Sequence, residues 1–411
     1  MRRVVVTSMG AITPVGLNVQ DTWERIAAGK HGFAPISSFD TERLKVKNAA
    51  EVKDWDPVAA GLNKKDARRM DRYTQFAMAA AKQLVEGAGD LSGIDPYRAG
   101  VIVGSGIGGF NTTLEEHTKF LEKGPGRVSA FTIPMLICNM AAGQIAIEYG
   151  FKGDNFATVT ACATSAHAVG EAFRKIRDGY LELAITGGAE ASINEFAVAG
   201  FQNMGALTET EDCDRLCIPF DKERSGFVMS EGAGLLLLEE YEHAKKRGAT
   251  ILGEIVGYGA TDDAYHITGP DPDGAGAARA MQNACNDAGV NTDVVDYINA
   301  HGTSTPLNER CETVAIKKAF GAHANELAVS STKSVTGHML GAAGAVEAIV
   351  SIMALREGLI PPTANYKVPD EECDLDYVTE GARKADLHYV LSNSLGFGGH
   401  NAALLFKKFE G

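Results

Sequence analysis

The sequence predicts a layered α/β protein, and three observations carry that reading. Short β-branched runs alternate with longer segments of helical periodicity. No low-complexity tract or short repeat breaks the alternation over the 411 residues. The chemically reactive segments each begin where a strand-like run ends. The second half repeats the style of the first, so the chain reads as two similar halves, 1–250 and 251–411, meeting near residue 250.

The elements follow in order. Arg3 to Thr7 reads as a strand and Val19 to Ala28 as a helix. Ala99 to Gly104 is a strand ending in a glycine loop, and NTTLEEHTKFLEK then gives a helix. Asn155 to Ala161 is a strand, and Thr164 to Asp178 a helix with Ala166, Val169, Phe173 and Ile176 on one face. Leu183 to Gly187 and Gly234 to Glu239 are buried strands. In the second half, Ile251 to Tyr258, Val294 to Asn299 and Leu327 to Ser331 are strands, and Gly274 to Ala288 is a helix. A further helix carries Leu340, Ala343, Val346, Val350 and Met353. Tyr389 to Asn393 and Ala402 to Phe406 form a strand pair around a glycine-rich turn.

Composition narrows the function. With 45% apolar and 22% charged residues, the chain has the balance of a soluble globular protein. Its net charge of −14 argues against generic binding to nucleic acid or anionic membrane. No stretch approaches the roughly 20 apolar residues of a membrane helix. The opening MRRVVVTSMG has too short an apolar run for a signal peptide, so a cytoplasmic protein is expected. Seven cysteines without repeated pair spacing give neither a disulfide framework nor a zinc module, and fit a reducing compartment.

Placement singles out the reactive residues. Cys162 follows the strand NFATVTA and opens a helix, and its neighbours Ala161 and Ala163 leave the sulfur approachable. A helix N-terminus there would favour thiolate over thiol. A buried core cysteine is the commoner fate of any one cysteine. Against it, His301 follows the strand VVDYIN, and Lys333 and His338 follow LAVSS. Asn393 likewise ends a strand before NSLGFGGHN. In α/β sheets the carboxyl ends of strands are where ligands bind. Both histidines sit among glycine and hydroxyl residues, open to a ligand. Metal ligation is the rival use, but carboxylate or second-cysteine companions at short spacing are missing. His167, His266 and His400 read as structural or peripheral, and Cys213 and Cys217 as loop or packing residues. Gly104 to Gly109, GSGIGG, fits a dinucleotide fingerprint. It lacks the second strand and acidic residue that such a site needs, so its glycines read as close backbone packing.

TACATSAH, NAHGTSTP, SSTKSVTGHMLGAAGAVE and GFGGHN, in this order, resemble the elongating β-ketoacyl-acyl-carrier-protein synthases, most of all synthase II. The similarity runs from RRVVVTSMGAITPVG to NSLGFGGHNAALLFKK. A Cys-His-His set differs from the initiating synthases, which pair one histidine with asparagine, and from thiolases, which need a second cysteine. The resemblance implies the thiolase fold, a duplicated αβαβα sandwich with two mixed sheets, in a homodimer. It implies decarboxylative Claisen condensation of acyl-carrier with malonyl-carrier protein in fatty-acid elongation.

Roles come with the resemblance. Cys162 would take the acyl group, with backbone N–H groups of Cys162 and Phe397 as oxyanion hole. His301 and His338 would hold the malonyl thioester carbonyl, and Lys333 would orient His338. Thr303, Thr305 and Thr268 would bind the pantetheine arm. Ile107 and Phe201 would line the acyl pocket, which Phe397 would gate. No cofactor is required, and a structural sodium or potassium site is implied at Asn299, Glu347, Ser392 and Asn393. Carrier proteins are acidic like this chain, so docking needs a local basic patch. Lys64, Lys65, Arg68 and Arg69 form the best cluster and Arg127 is a second candidate, a solvated helix face being the competing reading. The loop after Phe201, QNMGALT, lacks an arginine that some relatives use against the carrier.

Three other readings compete. A polyketide ketosynthase subunit would share these residues, although the chain shows no linker or appended domain. A non-catalytic chain-length factor would lack the nucleophile. A cysteine hydrolase gives no reason for two histidines and a lysine.

Overall fold

The computed structural model describes residues Met1–Gly411. Its main sheet has ten strands: β1 (Val4–Ile12), β2 (Ala99–Gly104), β3 (Asn155–Phe156), β4 (Leu183–Glu190), β5 (Gly232–Glu240), β6 (Gly253–Asp262), β7 (Tyr297–Asn299), β8 (Ala328–Ser330), β9 (Tyr389–Gly396) and β10 (His400–Lys407). Their order across the sheet is β8-β7-β9-β10-β6-β1-β5-β4-β2-β3. Within each half the edge-to-centre order is third, second, fourth, fifth, first strand. The directions also repeat: β3, β2 and β4 run parallel while β5 and β1 alternate, and β8, β7, β9, β10 and β6 do the same. The second half is a topological copy of the first.

The two sheets expected from the resemblance are these two five-stranded halves, and they are not separate. β1 pairs antiparallel with β6 at Val4–Ile255, Val5–Glu254 and Val6–Gly253, making one continuous ladder.

The longer helices include α1 (Val19–Ala27), α2 (Arg72–Gly87), α3 (Phe110–Lys123), α4 (Met140–Tyr149), α5 (Thr164–Arg177), α6 (Ala275–Ala288), α7 (Pro306–Phe320) and α8 (Ala343–Glu357). Side-chain alternation along the strands defines the layers. Ile102, Leu236, Leu238, Tyr297, Val390, Leu404 and Phe406 point into one central core with residues of α5 and α8. Their neighbours Val101, Val103, Leu235 and Leu237 face α2 and α4 in a second core. Ile298, Leu391, Ala403 and Leu405 face α6 and α7 in a third. Helix, sheet, helix, sheet and helix thus stack in five layers. The run Leu235–Leu238 is apolar throughout because both of its faces are covered. α8 is buried from Ala343 to Leu355, as a helix in a middle layer must be.

The strand expected over Asn155–Ala161 ends at Phe156. Beyond it, Thr158 Oγ1 donates to the Thr164 carbonyl, and the Thr160 N–H donates to Thr164 Oγ1. These local bonds draw the chain off the sheet and deliver Cys162 to the start of α5.

Candidate active site

Three turns at the strand ends build the site, and each contains a non-glycine residue with positive φ. Cys162 lies in a one-turn 3-10 segment, Ala161–Ala163, in which Ala161 has φ 49°. His301 precedes Ser304, φ 71°, and His338 precedes Leu340, φ 45°. Such backbone costs about 1–3 kcal/mol per residue and persists where its surroundings fix it. Here buried carboxylates and ladder bonds do the fixing. Glu312 of α7 accepts the backbone N–H groups of His301 (2.8 Å) and Gly302 (2.9 Å). Glu309 accepts that of Ser304 at 3.1 Å and is held in turn by Arg224. His338 is tied by its N–H to the Val228 carbonyl and by its own carbonyl to the Ser230 N–H.

The turns converge. The imidazoles of His301 and His338 lie with centroids 5.3 Å apart and planes at 85°, and Phe227 packs edge-on to His338 at 5.2 Å. Gly396, at the end of β9, passes against the nucleophile turn. A Cβ there would sit 2.7 Å from the Thr160 carbonyl oxygen and 3.3 Å from the Cys162 nitrogen, so only glycine fits. Phe397 follows immediately and lines the same space.

Electrostatics set the resting state. Burial, with Lys333 second, pushes both imidazoles well below their ordinary values, so His301 and His338 are neutral. Their Nδ1 atoms are buried without a partner. Lys333 is fully buried and ion-paired with Glu347, whose carboxyl burial raises to about 7. Cys162 corrects an expectation. Its thiol is not tuned toward thiolate: burial pushes it up to about 12, and Lys333 and the Phe397 N–H only partly oppose this. Desolvation of the sulfur outweighs the favourable field at the helix start.

These groups open into a cavity of about 880 Å³. Cys162, His301, His338, Thr303, Thr305, Thr268, Ile107, Phe201 and Phe397 all line it, whereas Lys333 lies behind it. The Thr303 and Thr305 hydroxyls are 3.0 Å apart, and Phe201 packs on Phe227. His266, expected to be structural or peripheral, is exposed and lines the cavity at its rim. Its Nδ1 accepts the N–H groups of Thr268 (3.2 Å) and Gly269 (3.0 Å), shaping the cavity's rim. His167 is structural, its Nδ1 2.6 Å from the Tyr258 hydroxyl. The glycine loop after β2 spends its N–H groups on protein: Gly106 and Ile107 on Glu190, Gly108 on Ser105 Oγ. No phosphate cradle is left.

The other nominated residues divide. Lys64, Lys65, Arg68, Arg69 and Arg127 are all exposed, and Arg69 stacks over Phe131 at 4.5 Å, which brings the first cluster to the segment after Arg127. Of the four cation residues, Asn299 and Ser392 are register partners on adjacent strands. Both polar atoms of Asn299 and Glu347 Oε2 are buried without partners, which leaves their oxygens open to a cation. The Asn393 amide is directed elsewhere, to Met281 Sδ at 3.3 Å and Glu312 at 3.4 Å. Glu190, Glu309 and Glu312 were not singled out in the sequence. An acidic pair on the helix after NAHGTSTP was the available signal for the last two.

Two family models match this chain. That for the N-terminal domain of beta-ketoacyl synthase covers residues 1–244, and that for the C-terminal domain covers 252–367. The chain is 50% identical over 410 residues to 3-oxoacyl-acyl-carrier-protein synthase 2 of Staphylococcus aureus, covering 100% of this chain and 99% of that one. Among solved structures, a beta-ketoacyl synthase from Burkholderia phymatum superposes with a TM-score of 0.91 at 35% identity, covering 100% of both chains. A ketosynthase solved with its type II polyketide acyl-carrier protein and bound to the hexaketide gives 0.91 at 34%, again over 100% of both. The chain belongs to the beta-ketoacyl synthase family.

Proposed function

We propose that the protein condenses an acyl-carrier protein thioester with malonyl-carrier protein, giving β-ketoacyl-carrier protein, carbon dioxide and free carrier protein in fatty-acid elongation. The observation that carries this is the convergence of one cysteine and two neutral imidazoles on a single large cavity. In the first half-reaction the Cys162 sulfur attacks the acyl thioester, forming a new thioester and breaking the old one. The Cys162 proton ends on the departing carrier thiol, so no net acid or base is consumed. The N–H groups of Cys162 and Phe397 hold the developing oxyanion.

In the second half-reaction the malonyl carboxylate leaves as carbon dioxide. Its electron pair passes to the thioester enolate, whose oxygen is held by N–H donors of His301 and His338. Neutral imidazoles suit this task because each keeps one N–H to donate. The enolate carbon then attacks the acyl-Cys162 carbonyl. That attack forms the carbon–carbon bond; collapse of the tetrahedral intermediate re-forms the carbonyl and breaks the bond to the Cys162 sulfur, which takes up a proton. Lys333 acts through its charge on Cys162 and both imidazoles. Thr303, Thr305 and Thr268 hold the pantetheine arm, and Ile107 and Phe201 border the acyl tail.

Identity of 50% to a 3-oxoacyl-acyl-carrier-protein synthase 2 over the whole chain, against 34% to a polyketide ketosynthase, favours the fatty-acid reading. The exposed patch Lys64, Lys65, Arg68, Arg69 and Arg127 receives the carrier. Asn299 and Glu347, with Ser392, would hold a sodium or potassium ion that balances buried charge and takes no part in the chemistry. A homodimer is the assembly favoured by the unpaired edge of β3 and by exposed Ile133, Ile147 and Val159, and a cytoplasmic place goes with the reading as a carrier-dependent elongation enzyme. No helix is long and apolar enough to cross a membrane. Incubation with acyl-carrier and malonyl-carrier protein, followed by mass analysis, tests the reaction. β-Ketoacyl-carrier protein is the expected product, and free fatty acid alone would mean hydrolysis.

A further inference from the structure

The duplicated topology gives the nucleophile turn a counterpart. Ala161–Ala163 before α5 matches Leu340–Ala342 before α8; both are 3-10 turns, and both begin at a residue with positive φ, 49° and 45°. Cys162 therefore corresponds to Gly341. The fourth strand of each half, eight residues long, ends beside that turn, β9 at Gly396 and β4 at Glu190. At Gly396 there is no side chain, and the Cys162 N–H stays free for an oxyanion. At Glu190 a carboxylate fills the equivalent space and accepts the Gly341 N–H at 3.0 Å.

That carboxylate is fully buried and accepts four further hydrogen bonds: Ser105 Oγ at 3.0 Å, Gly106 N at 2.8 Å, Ile107 N at 3.3 Å and Ser192 Oγ at 3.1 Å. It thereby ties the loop of Ile107, from the first half, to the turn of Leu340, from the second. Those two turns touch directly, since a Cβ on Gly341 would lie 2.3 Å from the Gly106 nitrogen. Ile107 and Leu340 both line the cavity and pack in one apolar cluster with Cys162. The Glu190 side chain itself does not line the cavity. His338 is anchored separately through Val228 and Ser230.

We infer that Glu190 is a positioning residue for acyl-tail specificity: it occupies the duplicate of the oxyanion site and clamps two walls of the acyl pocket in fixed register. This rests on the proposed condensation, because it takes the cavity beside Cys162 to hold an acyl tail. Loosening the clamp lets Ile107 and Leu340 move apart, so tails that the native pocket rejects are admitted.

The test compares Glu190→Gln, Glu190→Ala and Ser105→Ala with the unaltered enzyme. It follows acylation of Cys162 across straight-chain and methyl-branched donors, with kcat and KM separated. Gln keeps one acceptor oxygen but cannot receive all five donors, and Ser105→Ala removes one donor and retains the carboxylate. The ratio of kcat/KM between best and worst donors is expected to fall about tenfold in Glu190→Gln, the scale of one lost charged hydrogen bond, and less in Ser105→Ala. The change should lie mainly in KM for the poor donors. If Glu190→Ala does not fold, the other two variants carry the test. An unchanged donor profile, or an equal loss of kcat for every donor, overturns the inference. The condensation reading fails separately, if the unaltered enzyme forms no acyl-Cys162.

Discussion

Replacing Lys333 by methionine keeps the length of a fully buried side chain and deletes its charge, leaving Glu347 without its partner. Breaking one side of a buried pair costs about 3–5 kcal/mol. Unfolding entropy near 2.1 cal/mol/K per residue over 411 residues converts that to a fall in Tm of about 3–6 °C. The sign with pH follows from Glu347. Its carboxyl already stands at about 7 beside Lys333, because burial opposes ionisation. Without the lysine it stays protonated to higher pH in the folded state while ionising normally when unfolded. An acid that holds its proton more tightly when folded loses stability as pH rises. The deficit of Lys333→Met should therefore deepen between about pH 6 and pH 8.5, by up to about 1.4 kcal/mol per pH unit. Adding Glu347→Gln removes the ionisable partner and should restore most of the Tm and abolish the pH dependence. Activity should not return, since the field that lowers Cys162 and both imidazoles is gone. Thermal melts over that pH range in buffer free of sodium and potassium, so that no cation shares Glu347, with acylation assays on both variants, measure this. A single variant that melts like the parent at high pH, or a double variant that regains activity, refutes the reasoning.

Three further outcomes follow from the site. Alkylation of Cys162 by iodoacetamide, counted against Cys162→Ala, should rise through pH 9 without a plateau near neutrality, since the thiol is held near 12; a plateau below about pH 8 would mean a tuned thiolate. Ile107→Phe should exclude long acyl donors and spare short ones, overpacking costing about 1–3 kcal/mol, whereas uniform loss across donors would signal a folding defect. Lys65→Glu should raise KM for carrier-bound substrate and leave an acyl-CoA surrogate unaffected. Arg69→Glu should do the same with an added stability cost from its stacking on Phe131, and equal loss on both substrates would make the patch structural.

Much of this architecture was legible because strand ends and reactive residues coincide. Cys162, His301, Lys333 and His338 could be picked out by their position after β-branched runs, and β2 matched its expected span of Ala99 to Gly104. What escaped has physical causes. α2 and α4 lie in stretches without a marked motif, and α7 went unread although it begins at the proline that closes NAHGTSTP. The joining of the halves through β1 and β6 rests on three residue pairs that no local pattern announces. The state of Cys162 was misjudged because a helix start is visible in sequence but complete burial of the sulfur is not. Glu190 was invisible for the same reason. A glutamate closing a strand gives no sign that five donors from distant segments meet on it.

The most direct measurement separates the two half-reactions with labelled acyl and labelled malonyl donors. Acyl transfer requires the sulfur of Cys162, whereas decarboxylation requires only a carbonyl held by donors while charge develops on its oxygen. Cys162→Ala should form no acyl-enzyme and no condensation product, yet release carbon dioxide from malonyl-carrier protein. His338→Ala should still acylate Cys162 and lose about 10²–10³ in decarboxylation, the cost of one donor to a developing oxyanion. Acylation blocked in His338→Ala while decarboxylation persists would make His338 the base for Cys162 and contradict the division of labour derived above.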